Sequence, residues 1–315
     1  MSTQVTPAVQ IAEAPAATER GIARAGKPVR TKERARKTWS RVVLNAVAAV
    51  VIACSVFPVY WMVNMSFTPP NKIISREPNF FPVEFTWKNY VTAWTREAAP
   101  GQTDFPHALI SSIGVALAVV VVCALFAFLA SIAIARFAFR GRVVFIVSVL
   151  IVQMVPGEAM MYTIYNMIDD WQLMNTLLGL FIVHLASVVP FTIWTLRGFV
   201  AGVPADLEEA AMIDGCTKAQ AFWKVTFPLL APGLVSTGIF AFIQSWNEFT
   251  MALLLLRGYN LTLPPWLNSF QSATEATNWG AVMAGSTLIA LPVVIFFLFV
   301  QGRMTAGLVA GAVKG

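Results

Sequence analysis

Five residues carry chemistry in surroundings that make them conspicuous. Trp246, Asn247 and Glu248 follow Gln244 and Ser245 within a run of aliphatic side chains, Glu158 follows Pro156-Gly157 in another, and His184 stands alone in a third. A carboxylate facing hydrocarbon is costly, so Glu158 and Glu248 mark places where the chain turns a polar group toward protein or a water-filled path. An indole beside an amide and a carboxylate suits a sugar, because the ring covers the apolar C–H face while the polar groups bond hydroxyls. The same cluster equally suits a polar knot that packs helices together, or a gate. Glu158 keeps two readings as well, a group lining a solute path or a carboxyl paired internally near the outer interface. His184 reads as a satisfied core residue.

Other chemistry finds little support. Cys54, Cys123 and Cys216 neither pair evenly nor show metal spacing, and no nucleophile elbow is present, so no catalytic residue and no metal site is assigned. Residues 21–27, Gly-Ile-Ala-Arg-Ala-Gly-Lys, match most of a phosphate-binding loop. Pro28 stands where the magnesium-binding Ser or Thr belongs, and no strand precedes the match. The chain therefore binds no cofactor of its own in this reading, and any use of ATP and magnesium falls to a partner.

The elements that must position these residues are membrane helices. Hydrophobic residues make up 57% of the 315 and charged ones 12%, and the mean hydropathy is +0.68, values of a polytopic membrane protein and not of a soluble domain. Crossing the hydrocarbon takes about 20 apolar residues. Six such runs occur, at 42–63, 109–135, 143–168, 177–196, 229–256 and 281–300. In the third, Pro156 breaks the helical pattern, since it lacks an N–H and crowds the turn before it. The fold class is thus all-α, six transmembrane helices joined by loops.

Basic residues orient the spans. If the amino terminus is cytoplasmic, 17 of the 22 Lys and Arg lie inside and five outside, namely Lys72, Arg76, Lys88, Arg96 and Arg257. Both termini then face the cytoplasm in a multi-pass membrane protein. The net charge of +6 follows from this bias and reads as anchoring against anionic membrane lipid, with no nucleic acid as partner. Residues 1–38 are rich in Ala, Pro, Thr and basic side chains and are expected to be a disordered tail. The long basic stretch and span-length apolar run that follows speak against a cleaved signal peptide.

The longest polar passage between two spans is 204–228, PADLEEAAMIDGCTKAQAFWKVTFP. Pro204 suits a first helical turn, and Asp206, Glu208 and Glu209 sit at the positive end of that helix's dipole. Asp214-Gly215 ends it, because glycine accepts the left-handed conformation that closes a helix. Thr217 to Gln220 fits a capping box, so a second short helix starts at once and runs to Pro228. The result is a cytoplasmic helix-turn-helix too small to be a domain, and suited to contact.

Glu209-Ala210-Ala211-Met212-Ile213-Asp214-Gly215, with Phe227-Pro228-Leu229 and Pro232 behind it, resembles the EAA loop of permease subunits of bacterial ABC importers. Asn79 to Pro82, Trp87 to Tyr90, Arg136 to Arg142 and the Trp246-Asn247-Glu248-Phe249 run are similar to the carbohydrate-importing, maltose-permease-like branch. Ser111-Ser112 departs from that branch's Asn-Ser. The resemblance covers the chain after residue 39 and implies a permease domain over 39–303 and a cytoplasmic tail over 304–315. The tail's ending, like that of the maltose-type permeases, would reach the ATPases. It also implies a bacterial inner-membrane location and four partners: a second homologous permease, a pair of ABC ATPases, an extracellular solute-binding protein and a sugar substrate. Glu209, Ala210, Ala211, Asp214 and Gly215 would couple to the ATPase; Glu158, Trp246, Asn247 and Glu248 would line the solute path. The alternatives are an ABC permease for another solute and a proton-coupled secondary carrier using Glu158, Glu248 and His184.

Overall fold

A computed structural model describes residues 30–74, 80–81, 84–95, 103–271 and 277–312, with side chains described within 41–301. The phosphate-loop-like match at 21–27, most of the expected amino-terminal tail and the last three residues lie outside the described residues. The chain divides into two compact units after Val56. Within the first, α1 (Arg30–Ser66) already begins at Arg30, inside the stretch expected to be a tail, and over 42–56 its side chains are exposed and, Asn45 and Ser55 apart, apolar or small.

In the second unit α1 ends at Ser66, followed by the short α2 (Pro70–Ile73) and α3 (Lys88–Thr95). Buried Asn89 of α3 donates through Nδ2 to the carbonyls of Ser66 at 2.9 Å and Thr68 at 2.8 Å. It thereby satisfies carbonyls that the end of a helix leaves without partners. Helix α4 (Phe105–Arg136) opens on Asp104, whose carboxylate accepts from the His107 N–H at 3.0 Å. It packs along α7 (Leu177–Gly202) and α10 (Phe227–Trp246), burying Val119, Cys123, Leu180, Val183, Val188 and Ala241 among them.

The third apolar run is two helices, not one. α5 (Arg142–Met154) stops at Val155, a 3-10 turn spans Gly157–Met160, and α6 (Met161–Asp170) leaves at 87° to α5. The break falls at Pro156, where the missing N–H requires it. By length and composition the described residues hold five membrane-length helices, or six when this bent pair counts as one. Pro190 and Pro292 lie inside continuous helices, α7 and the last helix.

Two expected boundaries are corrected. The helix that was to stop at Pro228 continues, because α9 (Lys218–Ala221) passes through a π-helical turn, Phe222–Thr226, directly into α10. There the Phe227 N–H bonds to the Phe222 carbonyl, the wider spacing of a π-helical turn, and Pro228 falls in the first turn of α10, where a proline is tolerated. The fifth span ends at Trp246 and not at residue 256. After a break at 247–249 the chain starts again as α11 (Thr250–Leu255), then α12 (Leu263–Asn268) and α13 (Trp279–Ala312), whose backbone stays helical into the segment expected to be a tail. Ser112, at the spot that departs from the family pattern, accepts from the Leu263 N–H at 2.8 Å and so ties α12 to α4.

The start of α7 shows how tightly the second unit is packed. Thr176 caps it by accepting from the Gly179 N–H at 3.0 Å, and a Cβ on Gly179 would lie 2.6 Å from the Leu173 carbonyl oxygen. Gly179→Ala is therefore expected to cost about 1–3 kcal/mol as an overpacked contact that backbone cannot yield to. A thermal scan of the purified protein in detergent should show a lower midpoint; an unchanged midpoint would mean that the turn before α7 is free to move.

Candidate functional site

The loop between α7 and α10 is a helix-turn-helix built from local chemistry. α8 (Asp206–Ile213) carries Asp206, Glu208 and Glu209 in its first turn, where they meet the positive end of the helix dipole. Gly215 follows with φ +92°, a conformation that side chains rarely adopt. At Thr217 both arms of the capping box are present: Thr217 Oγ1 accepts from the Gln220 N–H at 3.3 Å, and Gln220 Oε1 accepts from the Thr217 N–H at 2.9 Å. Ala210 and Ala211 lie along α8, and Glu209, Asp214 and Gly215 are exposed. Ile213, at 86% exposure, is an apolar side chain with nothing over it.

Beneath α8 the anchoring is done by residues the sequence does not single out. Glu208, the neighbour of Glu209, turns inward, and its Oε1 accepts from Thr226 Oγ1 at 2.7 Å and lies 3.4 Å from Arg136 Nη2. Arg136, the last residue of α4, also donates to the Val203 carbonyl at 3.0 Å. Around them lies a groove of about 730 Å³ whose walls include Ile132, Val200, Glu209, Met212, Lys218 and Trp223. The signal in the sequence was faint. Arg136 is the first charge after a long apolar run, and Glu208-Glu209 offers two carboxylates of which only the fold selects one.

The second cluster lies where α10 stops. Glu248 receives the N–H groups of Met251 at 2.7 Å and Ala252 at 2.9 Å, one on each carboxylate oxygen. That starts α11 much as a capping side chain does. His184 of α7, 3% exposed, bridges the break, with Nε2 3.3 Å from Glu248 Oε2 and Nδ1 2.9 Å from Ser245 Oγ. Trp246 is 2% exposed and stacks on Phe242, which stacks in turn on Phe296 of α13. Its indole nitrogen is buried without a partner among the described residues. Asn247 is exposed beside this cluster, and Glu158 is exposed on the 3-10 turn of the broken span. The structure thus joins Glu248 to His184 and Ser245, covers the Trp246 ring, and leaves Asn247 and Glu158 reachable. Among the described residues no group of three His, Cys, Asp or Glu could hold a metal ion.

The chain resembles known proteins over most of its length. Residues 124–306 match the family described as binding-protein-dependent transport system inner membrane component. The chain is 45% identical to the diacetylchitobiose uptake system permease protein DasC of Streptomyces coelicolor, over 89% of this chain and 99% of that one. It is 33% identical to the trehalose transport system permease protein SugB of Mycobacterium tuberculosis, over 84% and 95% of the two chains. It is 32% identical to the trehalose/maltose transport system permease protein MalG of Thermococcus litoralis, over 87% and 97%. The fold is that of a chain in the crystal structure of a bacterial ABC transporter involved in the import of the acidic polysaccharide alginate, with TM-score 0.70, 21% identity, and coverage of 88% of this chain and 99% of that chain.

Proposed function

Because the chain belongs to the family of binding-protein-dependent transport system inner membrane components, we propose that it forms half of the translocation path of an ATP-driven importer for a short oligosaccharide. A second, homologous permease supplies the other half. Two ATPase subunits bind ATP and magnesium on the cytoplasmic side, and an extracellular binding protein delivers the sugar. Both termini and the loop 204–228 face the cytoplasm of a bacterial inner membrane, the side on which most Lys and Arg lie.

The observation that carries the reading is the build of that loop. α8 presents exposed Glu209, Asp214 and Ile213 around the glycine turn while its other side is held to the ends of α4 and α10. A surface of that kind serves contact, and closing ATPases pushing on it would move the spans behind it. In the solute path, Asn247 and Glu158 contact the sugar, and Trp246 and Glu248 frame the place where α10 breaks. The relatives that carry diacetylchitobiose and trehalose in their names direct the choice toward disaccharides.

The test is uptake of labelled diacetylchitobiose, trehalose and maltose by cells with and without an in-frame deletion of this chain. Uptake of at least one, lost in the deletion and restored by the native chain, supports the reading. Unchanged uptake of all three removes the disaccharide assignment.

A further inference from the structure

We propose that Arg136 and Thr226 are positioning residues that hold Glu208 as a latch, so that α8 moves together with the end of α4 and the start of α10. This rests on the reading of α8 as the ATPase contact. One carboxylate oxygen, Glu208 Oε1, is shared by a hydroxyl from the π-helical turn at 2.7 Å and a guanidinium from α4 at 3.4 Å. Each of the three groups thus sits on a different element. The Arg136 and Glu208 side chains are 22% and 19% exposed, and Thr226 is buried. In such surroundings water competes poorly, and hydrogen bonds to a charged group are roughly twice as strong as neutral ones.

The floor beneath is apolar. Val200, Val203 and Leu230 pack with Phe128, Ile132 and Ala135, and Phe128 also meets Phe222 and Phe227 across the π-helical turn. No α8 side chain takes part in these contacts, so the shared carboxylate is what ties α8 to this floor and fixes its register. The π-helical turn is what places Thr226 toward α8 instead of around the next face, which gives that irregularity a use. Arg136 is not saturated either, because its buried Nε has no partner among the described residues. A shift of α8 can therefore exchange one guanidinium N–H for another without releasing the carboxylate.

The test uses the full complex purified through this chain in lipid nanodiscs. Hydrogen exchange is followed at the α8 amides, and ATP hydrolysis is measured with and without the solute-binding protein. In Arg136→Met and Thr226→Val we expect exchange in α8 to rise about tenfold while the amides of α7 keep their native rates. The stimulated-to-basal hydrolysis ratio should fall toward one with ATPase co-purification unchanged. Thr226→Ser, which keeps the hydroxyl, should behave as native. Native exchange in α8 of both variants would overturn the latch, as would loss of co-purification, which would make these residues part of the docking face. A native chain that brings down no ATPase counts against the importer reading; the exchange comparison on the chain alone then decides the latch by itself.

Discussion

Replacing Gly215 by Asp is expected to lower the ATPase activity that co-purifies with this chain at least tenfold, and sugar uptake with it. Two effects act together. At φ +92° a residue with a side chain is strained, by about 1–2 kcal/mol. The new carboxylate would also stand next to Asp214 on a surface already made acidic by exposed Asp206 and Glu209, and would project into the partner. The two are separable, because a Cβ at this position meets nothing within 4 Å. Gly215→Ala therefore carries the strain without the bulk or charge, and should keep most of the co-purifying activity. The assay is a pull-down of tagged protein from mild detergent with hydrolysis measured on the eluate. If Ala and Asp prove equally damaging, strain alone matters and the surface is not a docking face.

Glu248→Ala is expected to destabilise the protein and abolish uptake together. The carboxylate accepts two backbone N–H groups and lies beside His184, and its removal leaves those donors without a partner in a largely buried place. Such a loss costs about 3 kcal/mol or more. Glu248→Gln keeps an acceptor oxygen and should fall between the two. The measurement is the thermal midpoint in detergent set beside the concentration dependence of uptake. A contact to solute would show the opposite pattern, a raised KM for uptake with an unchanged midpoint, and that result would make Glu248 a group that binds the sugar itself. Asn247→Ala is the complementary case, because its exposed side chain caps nothing; it should weaken uptake while leaving the midpoint in place.

What the sequence made legible was the part governed by short-range chemistry. Hydrocarbon thickness sets the length of apolar runs, so the helices could be found. The capping box at Thr217, the left-handed glycine at 215 and the break at Pro156 are local, and each stands where its residues require. The failures share a different cause. Residues 250–256 are as apolar as the span before them, and nothing nearby says that α10 stops at Trp246. The stop comes from Glu248 and from His184, sixty-four residues away. Pro228 looked like an end because a proline usually is one, whereas it falls in the first turn of α10, where a proline is tolerated. Glu208 and Glu209 are indistinguishable in composition; Arg136 at the far end of α4 decides which one turns inward. Trp246 resembled a sugar platform by its neighbours in sequence, whereas its neighbours in space, Phe242 and Phe296, cover its ring.

The placement of His184 between Ser245 and Glu248 keeps two energy sources in view, since a buried histidine beside a carboxylate is also what a proton relay would use. The experiment that separates them is uptake of labelled disaccharide by cells in which the partner ATPase carries a hydrolysis-dead substitution, compared with native cells whose proton gradient has been collapsed while ATP is held constant. An ATP-driven importer loses uptake in the first and keeps it in the second. Uptake that survives the dead ATPase and disappears with the gradient would contradict the account and make this chain a proton-coupled carrier.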